Sequence, residues 1–404
     1  MSSASSNNAC GPSPNQDRRS APELESLNID TLDLLFRHLE RKMDLLSVMH
    51  TCRRFFTIGL PILLGREITL NSTRALRSFH EFLVFAHPAS TSAVRSLIIG
   101  IKHPQHPETL ELISRILKRA PYLQTLCINT DAIYWDVAAQ TISSMTGLRE
   151  LEMTGDPFSD EARSMLCRLR CPLSRIHLSR LDAIMHHLLD RDSPNSYVNP
   201  TPILAQFQAS LEEVSLSMMV LECPSVPFSC PKVACVKMDT FSRTPLSTLV
   251  PLFPNAQILI MKHLSVDLGA ETNAQKQSRR DDNITFQQEQ QRWQSLLAVE
   301  ATWDSLYTIA LRSEVTSLHI TTDIDGWRNF SSPILEDLFH HLRPQHLRLS
   351  SYYIPFSFAH LLKGGLSRLQ RLDVSLHLSV EPQPGMIFGA SPAVGLSCMQ
   401  RSRE

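Results

Sequence analysis

A short apolar pattern, Leu-x-x-Leu-x-Leu, recurs along most of this chain and constrains its fold more than any other feature. Apolar residues at alternate positions are typical of a strand that buries one of its faces. The three clearest copies follow a proline and lie at Leu123, Leu126 and Ile128, at Val233, Val236 and Met238, and at Ala256, Leu259 and Met261. Looser copies centre on Leu97, Leu151, Ile176, Val214, Leu318 and Leu372, and residues 344–349 form a shortened one. The pattern therefore predicts a series of strands that bury the same face.

The spacing and order of these strands predict how they are connected. Amphipathic segments that favour helices precede several of them, at residues 108–119, 160–169, 245–253 and 332–342. The central residues Leu126, Leu151 and Ile176 lie 25 positions apart, within the range of about 20–29 residues of a leucine-rich repeat. We therefore predict an α/β fold in which residues 71–380 form an irregular leucine-rich-repeat solenoid with a parallel sheet on its concave side.

Several segments depart from this repeat. Residues 1–22 are rich in Ser, Asn and Pro and predict a disordered leader, because they offer little apolar surface to offset the entropy of ordering. Two insertions interrupt the repeats, near residues 190–202 and 268–292; the first is rich in proline, and the second is polar and predicts a loop that ends in a helix. Residues 381–404 carry no repeat signal and predict a tail.

Residues 23–70 have a different pattern, which predicts three short helices. Apolar residues recur at three- and four-residue steps from Ile29 to Leu39, and Asp30 is placed to cap the first turn. A second stripe runs from Leu45 to Phe56, a third apolar piece covers residues 58–64, and residues 67–70 alternate like a strand. Three short helices bury little surface on their own, so we expect a partner or the following domain to cover their apolar faces.

The same residues resemble a fungal F-box. Residues 27–39, 44–55 and 60–64 carry the resemblance, and its most specific part is Asp-Leu-Leu-Ser-x-x-x-Thr-Cys-Arg-x-Phe, which begins at Asp44. The usual Leu-Pro opening of an F-box is Leu27-Asn28 here. The array that follows resembles the divergent leucine-rich repeats that such fungal proteins often carry.

The resemblance implies a substrate-recognition subunit of a Skp-cullin-F-box ubiquitin ligase. In such an assembly the F-box docks on a Skp-family adaptor, which joins a cullin, while the repeats bind the target protein and other subunits perform the chemistry. The implied adaptor-binding residues are Leu27, Ile29, Leu32, Leu35, Phe36, Leu39, Leu45, Leu46, Met49 and Cys52. The alternative for each of these residues is that it only holds the three helices together. The target protein has no readable signature in the sequence.

Composition limits the partners and the compartment. Lys and Arg number 39 against 40 Asp and Glu, so no overall field attracts nucleic acid or a membrane surface, and we predict neither as a partner. The nine cysteines are odd in number and most lie within apolar strings, which favours reduced thiols over disulfides. We find no signal peptide and no apolar run long enough to cross a bilayer. These features favour the cytoplasm or the nucleus.

No motif in the sequence indicates an enzyme, a cofactor or a metal. His80-Glu81 is followed by His87, which is too far along a helix to share a face with His80 as zinc-protease ligands must. Cys167 and Cys171 have no second pair at ligand spacing. We therefore predict a binding protein. Its alternative function is that of a stand-alone leucine-rich-repeat interaction scaffold without a ligase role, in which the N-terminal helices only cap the solenoid.

Overall fold

The chain divides into two compact units between Gly65 and Arg66. The computed structural model describes residues 28–86, 88–101, 107–130, 136–155, 160–180, 199–222, 228–239, 244–261, 272–289, 292–321, 332–351, 366, 368–376 and 394–397. The predicted leader and most of the first predicted insertion lie outside the described residues. We call residues 28–65 the helical unit and the described residues from Arg66 onward the sheet unit.

The helical unit contains three helices, α1 (Ile29–His38), α2 (Lys42–Met49) and α3 (Arg53–Gly65). Asn28 caps α1, because its side chain accepts a hydrogen bond from the N–H of Asp30. Asp30 itself lies in the first turn, where a negative charge favours the helix, and is not the cap that the sequence predicts. The three helices themselves were predicted, and their boundaries differ by a few residues.

The largest boundary difference is the break between α2 and α3. The apolar stripe predicts Phe55 and Phe56 at the end of the second helix, but both lie in the first turns of α3. Side-chain hydrogen bonds make the break: the Thr51 hydroxyl donates to the carbonyl of Val48 at 2.7 Å, and the N–H of Phe55 donates to the sulfur of Cys52. Bonds of this kind compete with helix continuation, and hydrophobic periodicity does not detect them.

The core of the helical unit draws on all three helices and consists of Leu32, Phe36, Leu45, Met49 and Phe55. The rings of Phe36 and Phe55 meet edge to face with their centroids 5.5 Å apart, an arrangement that aromatic pairs favour. α3 approaches α2 so closely that a Cβ atom at Gly59 would lie 2.5 Å from Cγ of Met49. Glycine at this position therefore lets the two helices pack together.

The sheet unit is built on thirteen strands in sequential order. The strands β1 to β12 are parallel to their neighbours, and β13 pairs antiparallel with β12. They are β1 (Ile68–Leu70), β2 (Ser96–Ile99), β3 (Thr125–Thr130), β4 (Glu150–Gly155), β5 (Arg175–Ser179), β6 (Glu213–Ser217), β7 (Cys235–Met238), β8 (Ile258–Met261), β9 (Ser295–Thr302), β10 (Glu314–Thr321), β11 (His346–Ser351), β12 (Arg371–Leu376) and β13 (Val394–Ser397). This confirms the predicted α/β fold with a parallel, solenoid-like sheet.

The register of the sheet follows the predicted repeat centres. Leu126 pairs with Leu151, Leu151 with Ile176, and Ile176 with Val214. Each of these side chains is at most 2% exposed. Residues at odd spacing from them, such as the direct neighbours of Leu151 and Val214, are half-buried, so one face of the sheet is covered and the other is open. We call the second face the open face.

Helices connect the strands of the sheet unit. They are α4 (Thr73–Phe85), α5 (Pro88–Thr91), α6 (Pro107–Lys118), α7 (Asp136–Ser143), α8 (Asp160–Arg168), α9 (Thr201–Leu204), α10 (Leu246–Leu252), α11 (Asn273–Gln288), α12 (Trp303–Ile309) and α13 (Ser332–Leu342). Neighbouring helices pack against one another, as in α4 with α6, α6 with α7, α7 with α8, and α11 with α12. A 3₁₀ turn at Ala205–Phe207 extends α9.

Some elements differ from the predicted assignment. β1 belongs to the sheet unit, although residues 67–70 were grouped with the helices. β9 was not recognised, because the buried residue at the end of its pattern is the small Ala301. β13 lies within the segment predicted as a tail. The second insertion contains α11, a helix of 16 residues.

The buried side chains of α11 are polar, which explains why its helical periodicity is invisible in the sequence. Arg280, Asn283 and Gln287 lie one turn apart and are at most 7% exposed. They donate to carbonyl groups at the C-terminal end of α12, which would otherwise lack partners. The bonds run from Arg280 Nη1 to Tyr307 O at 2.8 Å, from Asn283 Nδ2 to Thr308 O at 3.0 Å, and from Gln287 Nε2 to Ala310 O at 2.9 Å.

The substitution Asn283→Ala tests this packing. The Asn283 side chain donates to Thr308 O and also accepts from the N–H of Leu246 at 3.0 Å. Its loss removes these hydrogen bonds from two buried backbone groups, at a cost of about 1–3 kcal/mol for each group. We expect the free energy of unfolding, measured with urea, to fall by about 2 kcal/mol or more. Ser278→Ala, at an exposed position of the same helix, should change it by less than about 0.5 kcal/mol. Equal effects of the two changes would contradict the assignment.

Candidate functional site

The helical unit encloses four of the ten predicted adaptor-binding residues in its own core. Leu32, Phe36, Leu45 and Met49 are at most 3% exposed. Leu39 and Cys52 are partly buried against that core, and Leu46 is half-buried. Leu27 lies outside the described residues. The six of these residues that lie in the core or pack against it therefore hold the three helices together.

The remaining two predicted residues are exposed, and three further apolar side chains of the helical unit are exposed as well. Ile29 is 57% exposed and Leu35 46%. The residues that sequence reasoning missed are Leu34, Met43 and Phe56, which are 58%, 69% and 44% exposed. Five of the nine exposed large apolar side chains of the described chain thus lie in this small unit. We call these five residues the apolar helix surface.

The helical geometry of α1 shows why this surface is unusual. Leu32 and Phe36 form its inner face, and Leu34, two residues from each, lies about 200° away on the outer face. Leu35 flanks the inner face. A helix in contact with a core on one side normally carries polar residues on the other. Leu34 is therefore an exposed apolar side chain on a face that otherwise carries polar residues such as Asp30 and Arg37.

The open face of the sheet unit forms a second candidate site, a groove of about 590 Å³ across β3 to β8. The parallel register places its side chains in rows, because residues at equivalent positions of adjacent strands lie side by side. One row is Thr125, Glu150, Arg175 and Glu213. The next row is Cys127, Glu152, His177, Ser215, Lys237 and Ile260. We call this depression the open-face groove.

The two lysine and arginine side chains of the groove are paired with two of its carboxylates. Arg175 lies between Glu150 and Glu213, with Nη1 at 3.3 Å from Glu150 Oε1 and Nε at 3.8 Å from Glu213 Oε2. Lys237 Nζ lies 2.5 Å from Glu213 Oε1, and this hydrogen bond raises the pKa of Lys237. Each cation is thereby neutralised within the groove.

The other two carboxylates of the groove, Glu152 and Asp239, form no ion pair with lysine or arginine among the described residues. Glu152 Oε1 lies 3.7 Å from Nδ1 of His177. Asp239 accepts hydrogen bonds from the hydroxyl of Ser217 and, at 2.8 Å, from the N–H of Met218. Burial is the main influence on Asp239 and raises the pKa of its carboxyl group. Among the described residues, these two acidic groups of the groove therefore have no lysine or arginine to balance their charge.

The thiol of Cys127 lies in the same groove beside Glu152. Burial, with the charge of Glu152 next, raises the pKa of Cys127 to about 12. The thiolate is the nucleophilic form of cysteine, so this side chain stays protonated at neutral pH and contributes an uncharged, weakly polar surface. It supplies no reactive group.

A carboxylate, an imidazole and a hydroxyl meet further along the open face, on β9, β10 and β11. His319 Nε2 lies 3.0 Å from the hydroxyl of Ser350, and Nδ1 lies 3.7 Å from Glu300 Oε2. Burial, outweighing Glu300, lowers the pKa of His319. This order of groups occurs in hydrolases, but the Glu300 distance exceeds a hydrogen bond. Ser350 also lies within a strand paired on both sides, where its neighbours' N–H groups are committed to the sheet and cannot stabilise an oxyanion.

Metal-binding clusters and membrane-spanning helices are two further features that would indicate a function. Among the described residues, no three side chains of His, Cys, Asp or Glu come together in a way that could hold a metal ion. Within the same part of the chain, no helix has both the length and the apolar character that a membrane span requires.

Comparison with known proteins adds no relative: no protein-family model and no curated protein matches the chain. The fold alone therefore gives the class, an α/β protein with a solenoid-like parallel sheet and a separate three-helix unit.

The buried carboxyl group of Asp239 makes a pH-dependent prediction. Its pKa in the folded state lies above the ordinary value of 3.8, so the protonated form favours folding below that value. This contribution is lost as the pH rises through the folded-state pKa. Compared with Asp239→Asn, the natural protein should therefore lose stability as the pH rises from 3.8 through the folded-state pKa of Asp239, and the difference should then level off. Urea unfolding of both proteins across this range checks it, and a constant difference between them would contradict it.

Proposed function

We propose that this chain is a substrate-recognition subunit of a Skp-cullin-F-box ubiquitin ligase. In this proposal the helical unit is an F-box that docks on a Skp-family adaptor, and through it on a cullin. The sheet unit is a divergent leucine-rich-repeat array whose open face binds the target protein. The observation that carries the proposal is the apolar helix surface, which lies on the residues that resemble an F-box.

The sizes of the energies support a protein partner for this surface. Fully burying one large apolar side chain contributes about 1.5–3 kcal/mol, while association costs about 4–15 kcal/mol in lost freedom. These five side chains are 44–69% exposed, so each contributes roughly half of that burial energy. One or two contribute at most about 3 kcal/mol, which falls short of the association cost, and the five together contribute about 4–8 kcal/mol, which reaches its lower part. A stable complex therefore needs most of the surface at once.

In this proposal the adaptor contact uses the accessible residues of the helical unit. Leu32, Phe36, Leu45 and Met49 are enclosed by the helical unit, so they would position the surface from within. The exposed residues Ile29 and Leu35 would contact the adaptor, together with the newly identified Leu34, Met43 and Phe56. Leu39, Leu46 and Cys52 are partly accessible and would lie at the edge of the contact.

In this role the chain supplies binding and position. Other subunits would carry out ubiquitin transfer, and the receptor would hold the target within their reach in the cytoplasm or nucleus. The stand-alone scaffold remains the alternative. In that role the N-terminal helices only cap the solenoid, and it predicts that the chain loses solubility when residues 24–70 are deleted, without any adaptor being involved.

A pull-down with a purified Skp-family adaptor tests the proposal. Leu35→Asp and Leu46→Asp each place a charge in the proposed apolar contact, where burial of an unpaired charge is strongly unfavourable. We expect both variants to lose adaptor binding while circular dichroism shows a folded chain. Leu297→Asp is the matched control, because Leu297 is similarly exposed, at 55%, but lies in the sheet unit.

Three results would argue against the proposal. Failure of the natural chain to bind any Skp-family adaptor would remove the ligase role. Full binding by both variants would remove the assigned surface. Equal loss of binding in Leu297→Asp would show that the effect is not specific to the helical unit.

A further inference from the structure

We infer that the open-face groove recognises a basic segment of the target protein, with lysine or arginine side chains placed against Glu152 and Asp239. This inference rests on the proposed function, since it assigns the chemistry of the target to the face that would bind it.

The charge of the groove is locally unbalanced. Its carboxylates are Glu150, Glu152, Glu213 and Asp239, and its permanent cations are Arg175 and Lys237. The whole chain has a net charge of −1, so an excess of two carboxylates on one part of one face is a local feature. Arg175 and Lys237 are held by Glu150 and Glu213. The unbalanced charge therefore resides on Glu152 and Asp239.

The two unbalanced acids line the same groove as one imidazole, that of His177. Glu152 Oε1 lies 3.7 Å from Nδ1 of His177, and Asp239 lines the groove as well. The region around His177 is thus the most favourable place in the groove for an added cation. Attraction between charges is stronger at such a partly buried site than in bulk water, and burial already makes the charge of Asp239 unfavourable without a cation.

The remaining lining favours a polypeptide carrying the cation. Ile260 and the uncharged thiol of Cys127 lie in the same row as Glu152 and His177. Lysine and arginine side chains combine an apolar stem with a charged end, so the stem can lie along the uncharged lining while the end reaches an acid. A nucleic acid, whose phosphates need cations, would meet excess carboxylates instead.

Fluorescence polarisation with two labelled peptides tests this inference on the full-length chain. One probe alternates alanine with arginine, and the other alternates alanine with glutamate, at equal length. We expect the arginine peptide to bind and the glutamate peptide not to bind. The double variant Glu152→Gln with Asp239→Asn should weaken binding of the arginine peptide at least tenfold, and Glu152→Gln alone should weaken it by a smaller factor.

The matched control is Glu111→Gln, which removes the same charge from an exposed position on α6 and should leave the affinity unchanged. Equal binding of both peptides, absence of binding by the arginine peptide, or unchanged affinity in both groove variants would overturn the inference. A weakening as large in Glu111→Gln as in the groove variants would also overturn it, because it would show attraction by overall charge alone. Both groove substitutions keep the size of the side chain, and thermal melts would verify that the variants fold.

The same protein samples separate this inference from the proposed function. Adaptor binding by the natural chain, with no preference for the arginine peptide, would overturn the basic-segment assignment and leave the ligase role standing. Peptide binding that depends on Glu152 and Asp239, with no adaptor bound, would support the groove and contradict the ligase role.

Discussion

Burial of one apolar residue at the centre of each strand, in register with its neighbours, is the constraint on which the sheet unit depends. Leu126, Leu151 and Ile176 pair across adjacent parallel strands and are almost inaccessible to solvent. Side chains alternate along a strand, so burying these residues also determines that Glu152 and His177 face outward. A register shift of one residue would exchange the two faces. The core and the open-face groove are therefore specified by the same pattern.

The sequence predicted the sheet well wherever the buried positions are large and apolar. The strands around Leu126, Leu151 and Val236 were found for that reason, and so was the parallel order that follows from helical connections. The pattern failed where the buried side chains are small or polar. β9 ends its buried row on Ala301, and α11 buries Arg280 and Asn283 through hydrogen bonds to α12. A polar side chain that satisfies a backbone carbonyl has no hydrophobic periodicity.

The candidate sites were less predictable, for two physical reasons. In the helical unit, periodicity identified the apolar side chains but could not separate those facing the other two helices from those facing outward. Leu32 proved to be core and Leu35 exposed, while Leu34 was missed because it lies off the apolar stripe. In the groove, Glu152 and Asp239 are far apart in sequence, and only the register of the sheet brings both into the lining that they share with His177. A proposed receptor with these two surfaces would use the first for assembly and the second for selection.

We propose that the apolar helix surface is covered by a separate polypeptide that connects the chain to a ubiquitin ligase. Affinity purification of the intact chain from cells, followed by mass spectrometry of its companions, tests this most directly. We expect a Skp-family adaptor and a cullin in the purified complex, in amounts comparable to the chain itself. Recovery of the chain alone, or with other proteins but neither of these two, would contradict it.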